Sequence, residues 1–138
     1  MILRYDGTTK IAEVAGGGVI QQPMTVDVYA REIAAGYGLN GHLYRVGKLV
    51  LYRISGVVNA APTSGQLKET IPYGYRPNGT AYDMVLSEQG TGGNISIQSI
   101  QPDGKMTLTS IAGATAGSIY SGNSSWITND EPVEGDKQ

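Results

Sequence analysis

The sequence predicts an all-β protein, an antiparallel β-sandwich or barrel preceded by a short N-terminal segment. Glycine accounts for 20 of the 138 residues without a collagen-like period, which is typical of a fold with many turns. Short apolar runs alternate with polar residues between these turns, which favours closely spaced antiparallel strands. Hydrophobic residues make up 40% of the chain, enough for the core of one domain.

The N-terminal segment, residues 1–40, contains one predicted hairpin and one ambiguous stretch. Residues 2–5 and 10–14 fit two strands joined by the turn Asp6-Gly7, and the glycines at 16–18 predict a hinge. Residues 24–35 alternate as a strand does at first and then follow helical spacing, so we predict a short helix or turn after a strand.

The main domain, residues 41–129, is predicted from a series of strands and turns. Val50, Tyr52 and Ile54 share one face of a strand that is also apolar on its other face, which indicates a central or doubly covered strand. Pro102-Asp103-Gly104 is a strong turn signal. Ile100 breaks the alternation of its strand, which predicts a bulge near residue 99. The further predicted strands are 42–46, 66–71, 80–87, 94–101, 105–111, 118–120 and 125–128.

Three stretches do not fit strands. Residues 71–79 hold Pro72 and Pro77, which cannot donate to a strand ladder, so we predict a corner in which Tyr73 and Tyr75 plug the end of the sheet or form an aromatic platform. Residues 90–93 and 112–122 are predicted loops. The last nine residues, 130–138, are predicted to be an acidic flexible tail.

Composition excludes several classes of function. The chain has no cysteine and a single histidine, so we expect no thiolate or zinc site and no other cofactor. Four of the 12 acidic residues and one of the 10 basic residues lie in the tail, so the rest is nearly neutral and nucleic-acid binding is disfavoured. Arg4 and Asp6 interrupt any signal-peptide core, and no run is long enough for membrane insertion.

Five residues are candidates for saccharide binding. A sugar ring stacks its C–H faces on an indole, and planar polar groups bind its hydroxyls, so Trp126 and nearby Asn123 fit such a site, although Trp126 fits a core position as well. The remaining candidates are His42, which also fits a structural role, Asp83, which lies within an apolar run, and Arg45. Asp83 has no identifiable carboxylate partner of the kind that glycosidases use, so we predict no catalytic residues.

The order of features from residue 40 to 128 resembles the receptor-binding head domains of siphophage baseplates that infect Gram-positive bacteria, such as the lactococcal phages. The elements that carry the resemblance are Tyr44-Arg45, residues 47–54, Pro72-Tyr73-Gly74-Tyr75-Arg76-Pro77, residues 95–97, Asp103-Gly104 and residues 126–128. The chain departs from that family in its first 40 residues, which lack the usual shoulder and neck repeats.

The resemblance implies a jelly-roll-like head that forms a homotrimer at the tail tip of the virion. It implies a non-enzymatic adhesin whose partners are host cell-wall or surface polysaccharide and other baseplate or tail proteins. Residues 1–40 would then act as a neck, a trimer-forming region or an attachment region. Two alternatives remain open: a structural baseplate component that binds no saccharide, and a small polysaccharide depolymerase.

Overall fold

The computed structural model describes residues 26–89, 94–109 and 115–138 in full, and the strand backbones within residues 2–23. The fold is all-β, and the described residues form eleven strands and one short 3-10 turn at Glu134–Asp136. The strands are β1 Ile2–Tyr5, β2 Thr9–Glu13, β3 Val19–Pro23, β4 Val28–Gly36, β5 Leu39–Val46, β6 Leu49–Val57, β7 Gly65–Thr70, β8 Tyr82–Gln89, β9 Ile95–Ile100, β10 Lys105–Thr109 and β11 Ile119–Ile127.

The strands form two antiparallel sheets. The smaller has the order β1-β2-β3, and its first two strands confirm the predicted N-terminal hairpin, whereas β3 was not predicted. The larger has eight strands in the order β4-β5-β6-β11-β8-β9-β10-β7 and curls into a half-barrel. Its edge strands β4 and β7 approach each other, and Leu67 lies against Gly36. The predicted antiparallel all-β fold is thus confirmed.

The core fills the inside of the curl and follows from strand alternation. On β6, Val50, Tyr52 and Ile54 are at most 1% exposed, whereas Leu49 and Leu51 on its other face are 42% and 46% exposed. The strand is central, as predicted, but its outer face is uncovered in the single chain. Other fully buried core side chains come from neighbouring strands: Leu43, Met84, Leu86, Ile100 and Met106.

Tight turns set the register of the strands. Tyr37 and Gly38 both have positive φ, 53° and 84°, as a two-residue hairpin between β4 and β5 requires. Gly47, with φ 59°, begins the equally short turn into β6. The Pro102-Asp103-Gly104 turn is confirmed, with Gly104 at φ 89°.

Three local predictions were wrong. The stretch predicted to be a helix or turn is the strand β4, because it pairs with β5 along most of its length. The pairing of β9 with β8 runs through Ser99 without a shift, so there is no bulge, and Ile95 and Ile97 face outward. The region predicted as a loop at 112–122 contains the start of β11, which runs unbroken to Ile127.

The segment borders also differ from the prediction. The border between residues 40 and 41 falls inside β5, and β4 belongs to the same sheet, so the large sheet begins at Val28. The C-terminal segment packs on the sheet rather than extending away from it: the Tyr75 hydroxyl donates to Asp136 (3.0 Å), and Lys137 bridges to Tyr29. The predicted turn at 6–7, the hinge at 16–18 and the loop at 90–93 lie outside the described residues.

Candidate functional site

Four polar side chains form a row across the outer face of the half-barrel. Antiparallel pairing places Glu32 of β4 opposite His42 of β5, His42 opposite Arg53 of β6, and Arg53 opposite Asn123 of β11. Residues directly opposite one another in neighbouring strands project from the same face, with Cβ atoms about 5 Å apart. We call these residues the polar row, which extends about 14 Å across four strands.

Tyr44 and Leu51 lie beside the polar row. They pair with each other, each two residues along its strand from the polar row, and are 45% and 46% exposed. A pocket of about 310 Å³ on one side is lined in part by Glu32, His42 and Tyr44. A second depression of about 260 Å³ lies between Tyr44 and Asn123 and includes Arg53. An exposed aromatic ring is therefore flanked by hydrogen-bonding groups on both sides.

The polar row combines donors, acceptors and both signs of charge. His42 Nδ1 lies 3.4 Å from Glu32 Oε1, and the two side chains are 30% and 80% exposed. Arg53 supplies up to five N–H donors, and the Asn123 amide both donates and accepts. These groups can bind hydroxyls without any change of protonation. The row contains one carboxylate, whereas glycoside hydrolysis commonly uses two.

An apolar row runs parallel to the polar row on the same face. Val28, Val46, Leu49 and Ile127 occupy successive paired positions on β4, β5, β6 and β11. Val46, Leu49 and Ile127 are 38%, 42% and 45% exposed. Contiguous exposed apolar side chains of this kind mark contact surfaces. We call these four residues the apolar row.

Trp126, the first candidate from the sequence, lies in the core. It is 2% exposed and packs edge-on against Tyr52, with ring centroids 5.7 Å apart, and near Tyr82 at 6.2 Å. Its Nε1–H donates to the Tyr75 carbonyl at 2.6 Å. The expectation that Trp126 stacks on a ligand is therefore wrong for this fold, because the indole faces inward and both its ring and its N–H are engaged.

Arg45 is likewise buried and structural. It is 3% exposed; its Nε donates to the Gly47 carbonyl at 2.8 Å and its Nη1 to the Gly74 carbonyl at 2.6 Å. These bonds tie the β5–β6 turn to the corner at residues 71–77. The expectation that Arg45 contacts a ligand is wrong for this reason.

The other three candidates face outward. His42 and Asn123 belong to the polar row, separated by Arg53. Asp83 is exposed on β8, which is two strands beyond β6 in the sheet order, and it accepts a hydrogen bond from the Ser99 hydroxyl on β9. Among the described residues, no hydrogen bond or ion pair joins Asp83 to the row. Of the five candidates, the structure thus brings together two.

Sequence reasoning missed Glu32, Tyr44 and Arg53 as site residues. Tyr44 precedes the candidate Arg45 in the sequence, and Arg53 follows Tyr52 of the predicted strand. Only strand register shows that Tyr44 and Arg53 share a face with His42. The two-residue turns at 37–38 and 47–48 contain that signal, because each fixes which residues of its hairpin lie opposite one another.

Within the described ranges, no three or more histidine, aspartate or glutamate side chains cluster closely enough to hold a metal ion. Nor does any helix in these ranges have the length and apolar character needed to cross a bilayer.

The chain matches no protein-family model and has no significant similarity to any curated protein. The resemblance to phage receptor-binding heads therefore stays a prediction based on the motifs that carry it.

Proposed function

We propose that this protein is a non-catalytic adhesin of a phage tail or baseplate, which attaches the virion to saccharide on the host cell surface. The observation that carries the proposal is the polar row beside the exposed ring of Tyr44. Two supporting facts are the resemblance of residues 40–128 to receptor-binding heads and the curled antiparallel sheet, which suits a barrel or jelly-roll-like head.

The chemistry of the row suits a saccharide better than a charged ligand. Tyr44 offers a ring face to the C–H face of a sugar, at low cost in side-chain entropy. Arg53 and Asn123 can each donate two hydrogen bonds to neighbouring hydroxyls, and Glu32 can accept from another. Glu32 and Arg53 have opposite charges, so the row as a whole attracts neither anions nor cations strongly. The length of about 14 Å accommodates a short stretch of polysaccharide rather than a single ring.

Such an open site binds weakly, so attachment requires several copies. We propose that the apolar row is buried against other copies of the chain in a homotrimer, which would place three polar rows in one particle. Linked sites raise the overall affinity by about 10²–10⁴ without new contacts. The open character of the polar row is then compatible with firm attachment to a cell.

The proposal is tested by binding of fluorescently labelled protein to intact Gram-positive cells, with purified wall polysaccharide as competitor. We expect binding that the polysaccharide abolishes, and polysaccharide recovered at its original length. The variants Arg53→Ala and Tyr44→Ala should each weaken binding about tenfold or more, since each removes hydrogen bonds or a ring from the row.

The matched control is Tyr73→Ala, which removes a tyrosine of similar exposure (52% against 45% for Tyr44) on the corner away from the row. It should leave cell binding unchanged. Equal loss of cell binding in the Tyr44 and Tyr73 variants would show that the polar row is not the saccharide site. Full cell binding by both the Arg53 and the Tyr44 variants would show the same. Shortened polysaccharide would favour a depolymerase instead.

The apolar row favours a second candidate function, that of a structural baseplate component without saccharide binding. Here the exposed side chains would bind another tail protein. Sedimentation of Leu49→Lys beside the unchanged protein separates the alternatives, because a lysine in the middle of the row opposes burial. A trimer that the variant dissociates supports the adhesin. A folded monomer that binds no cells but binds another tail protein tightly supports the structural role.

A further inference from the structure

A separate pocket, of about 380 Å³, lies at the tip of the β4–β5 hairpin, away from the polar row. Its walls are Tyr37 and Gly38 of the hairpin tip and Asn59 of the following loop, and its floor is residues 66–69 of β7. Tyr37 is five residues beyond Glu32 along the chain, which corresponds to about 16 Å of strand. The pocket is therefore distinct from the polar row.

Tyr37 is held in a backbone conformation that tyrosine rarely adopts. Its φ of 53° is the only positive value among the non-glycine residues that the structure describes. The two-residue turn requires this φ at its first position, and a bulky residue keeps it only where neighbouring contacts hold it. Here the Asn59 N–H donates to the Tyr37 carbonyl at 2.9 Å, and the Thr63 N–H donates to the Tyr37 hydroxyl at 3.1 Å.

The loop is thus hydrogen-bonded to the hairpin tip at both the backbone carbonyl and the hydroxyl of Tyr37. The Thr63 and Tyr37 hydroxyls lie 3.0 Å apart, and hydrogen bonds from the Thr63 side chain and then its backbone lower the pKa of Tyr37. Asn59 in turn packs against Gly38, where any Cβ would lie 3.0 Å from its side-chain amide. The wall of the pocket is formed before any ligand arrives.

Glu69 supplies a largely buried carboxylate to this pocket. Its side chain is 16% exposed, and Oε2 lies beside Gly36 on the facing strand. Among the described residues, the cation within ion-pair distance is Lys68, whose Nζ lies 4.0 Å from Oε1 on a side chain that is 92% exposed to solvent. Within residues 26–89, 94–109 and 115–138, the Glu69 carboxylate accepts no hydrogen bond. A shielded carboxylate in that position has unused capacity to accept O–H donors.

We infer that the pocket formed by Tyr37, Asn59, Gln66 and Glu69 is a second saccharide subsite, for a neutral sugar residue with adjacent hydroxyls. The inference rests on the proposed function and adds a subsite to it. Glu69 accepts from a pair of hydroxyls, the Asn59 and Gln66 amides donate to and accept from others, and the Tyr37 ring faces the sugar ring.

The charge pattern selects a neutral sugar. Lys68 partly offsets the charge of Glu69, so the pocket does not strongly favour a cation, and a single carboxylate is too few ligands for a hard metal ion. Anionic ligands are disfavoured because Glu69 lies inside the pocket while Lys68 extends into solvent.

The test is an amide chemical-shift titration of the full chain with a panel of neutral hexoses and disaccharides, with glycerol as the non-cyclic comparison. We expect saturable shifts at Tyr37, Asn59 and residues 66–69 with at least one sugar, and none with glycerol. Glu69→Gln, which preserves the shape of the side chain, should weaken that sugar about tenfold, as loss of one charge-assisted hydrogen bond does. Glu131→Gln, the same change on an exposed residue, should have no effect.

Tyr37→Asn separates a binding role from a merely structural one. Asparagine tolerates positive φ, which relieves backbone strain but gives up the Thr63 hydrogen bonds and the packing of the ring against the core. The variant should therefore stay folded with a modest loss of thermal stability, while sugar affinity falls with the loss of the ring. Unchanged affinity in this variant or in Glu69→Gln, the absence of shifts around the pocket, or equal shifts with glycerol would each overturn the inference. Loss of cell binding in Arg53→Ala without sugar shifts at the pocket would leave the proposed function standing alone. Sugar shifts at the pocket without cell binding would support the sugar subsite and contradict the proposed attachment to cells.

Discussion

Asp130 anchors the corner at residues 71–77, and replacing it with asparagine tests how much this contact stabilises the fold. Its Oδ2 accepts from the Gly74 N–H at 3.0 Å, the Arg76 N–H at 3.1 Å and Arg76 Nε at 3.0 Å, while Oδ1 accepts from Arg76 Nη2 at 2.9 Å. The Asp130 and Arg76 side chains are 12% and 33% exposed. The contact is thus a partly shielded ion pair that also satisfies two backbone donors.

Asp130→Asn preserves the shape but removes the charge and turns one acceptor toward Arg76 into a donor. Loss of one partner from a fully buried pair costs about 3–5 kcal/mol, and a hydrogen bond to a charged group contributes about 1.5–3 kcal/mol. Because Arg76 is one third exposed, water can replace part of what is lost. We expect the free energy of unfolding to fall by about 2–3 kcal/mol.

The assay is urea unfolding at one protein concentration, followed through the fluorescence of buried Trp126. With an m-value of about 2 kcal/mol/M, the midpoint should fall by about 1 M or slightly more. Asp27→Asn is the control, because its pair with Lys137 (3.5 Å) is exposed, with side chains 55% and 45% accessible, and should change stability by less than about 0.5 kcal/mol. Equal midpoint shifts in the two variants would refute the reasoning.

Acid provides an independent check on Asp130. Burial raises its pKa, but hydrogen bonds from the Arg76 side chain and from the Arg76 and Gly74 backbone lower it further, so the pKa lies below its ordinary value. A lowered folded-state pKa gives stability that is present above the unfolded value, about 3.9, and is lost as pH falls through the folded value. The difference between wild type and Asp130→Asn should therefore be constant near neutral pH and shrink below about pH 4. A difference that stays unchanged into acid would show that the charge is not responsible.

Two further predictions concern stability, and both can be measured by urea unfolding followed by far-UV circular dichroism. Gly104→Ala should lose about 2–4 kcal/mol, because φ is 89° and the new Cβ would lie 2.3 Å from the Ile71 carbonyl oxygen; Gly47→Ala, with φ 59° and no neighbour within 4 Å, should lose only about 1 kcal/mol. Similar losses in both would contradict the steric argument. Trp126→Phe leaves the buried Tyr75 carbonyl without its donor and should lose about 1–3 kcal/mol. A loss below 0.5 kcal/mol would mean that this bond contributes little.

The elements that sequence reasoning identified correctly are those with strong local signals. Val50, Tyr52 and Ile54 alternate cleanly, and the core takes that face of the strand. Pro102-Asp103-Gly104 carries its turn signal in local backbone geometry, with Gly104 at φ 89° and its N–H donating to the Gln101 carbonyl at 2.9 Å.

The errors arose where tertiary contacts outweighed local pattern. Residues 28–36 carry apolar side chains at helical spacing, but a nine-residue strand pairs with β5 and buries Tyr29 and Ala35 in the curl. In β9 the outward residue Ile95 is 52% exposed while Gln98 is fully buried and donates to the Ala35 carbonyl at 3.3 Å. The phase of this strand is therefore set by its neighbours, against the hydropathy of its own residues.

The motif Gly74-Tyr75-Arg76 also has a role that spacing alone does not reveal. Gly74, with φ 101°, donates its N–H to Asp130 and accepts from Arg45 through its carbonyl, while Tyr75 is buried. The motif joins three distant parts of the chain at one corner. Its value as a sign of function is indirect, since it stabilises the sheet that positions the polar row.

The candidate site could have been predicted more closely from the period of a strand. Side chains separated by an odd number of positions in one strand lie on opposite faces. Asn123 and Trp126 are three positions apart on β11, and His42 and Arg45 are three apart on β5, so neither pair can contact one ligand from a shared face. Trp126 is buried through its large apolar area, and Arg45 is buried because it donates to the Gly47 and Gly74 carbonyls. His42 and Asn123, three positions away on the same strands, therefore face outward. The pairing of β6 with β11, which brings them to the same row through Arg53, is long-range and has no local signal.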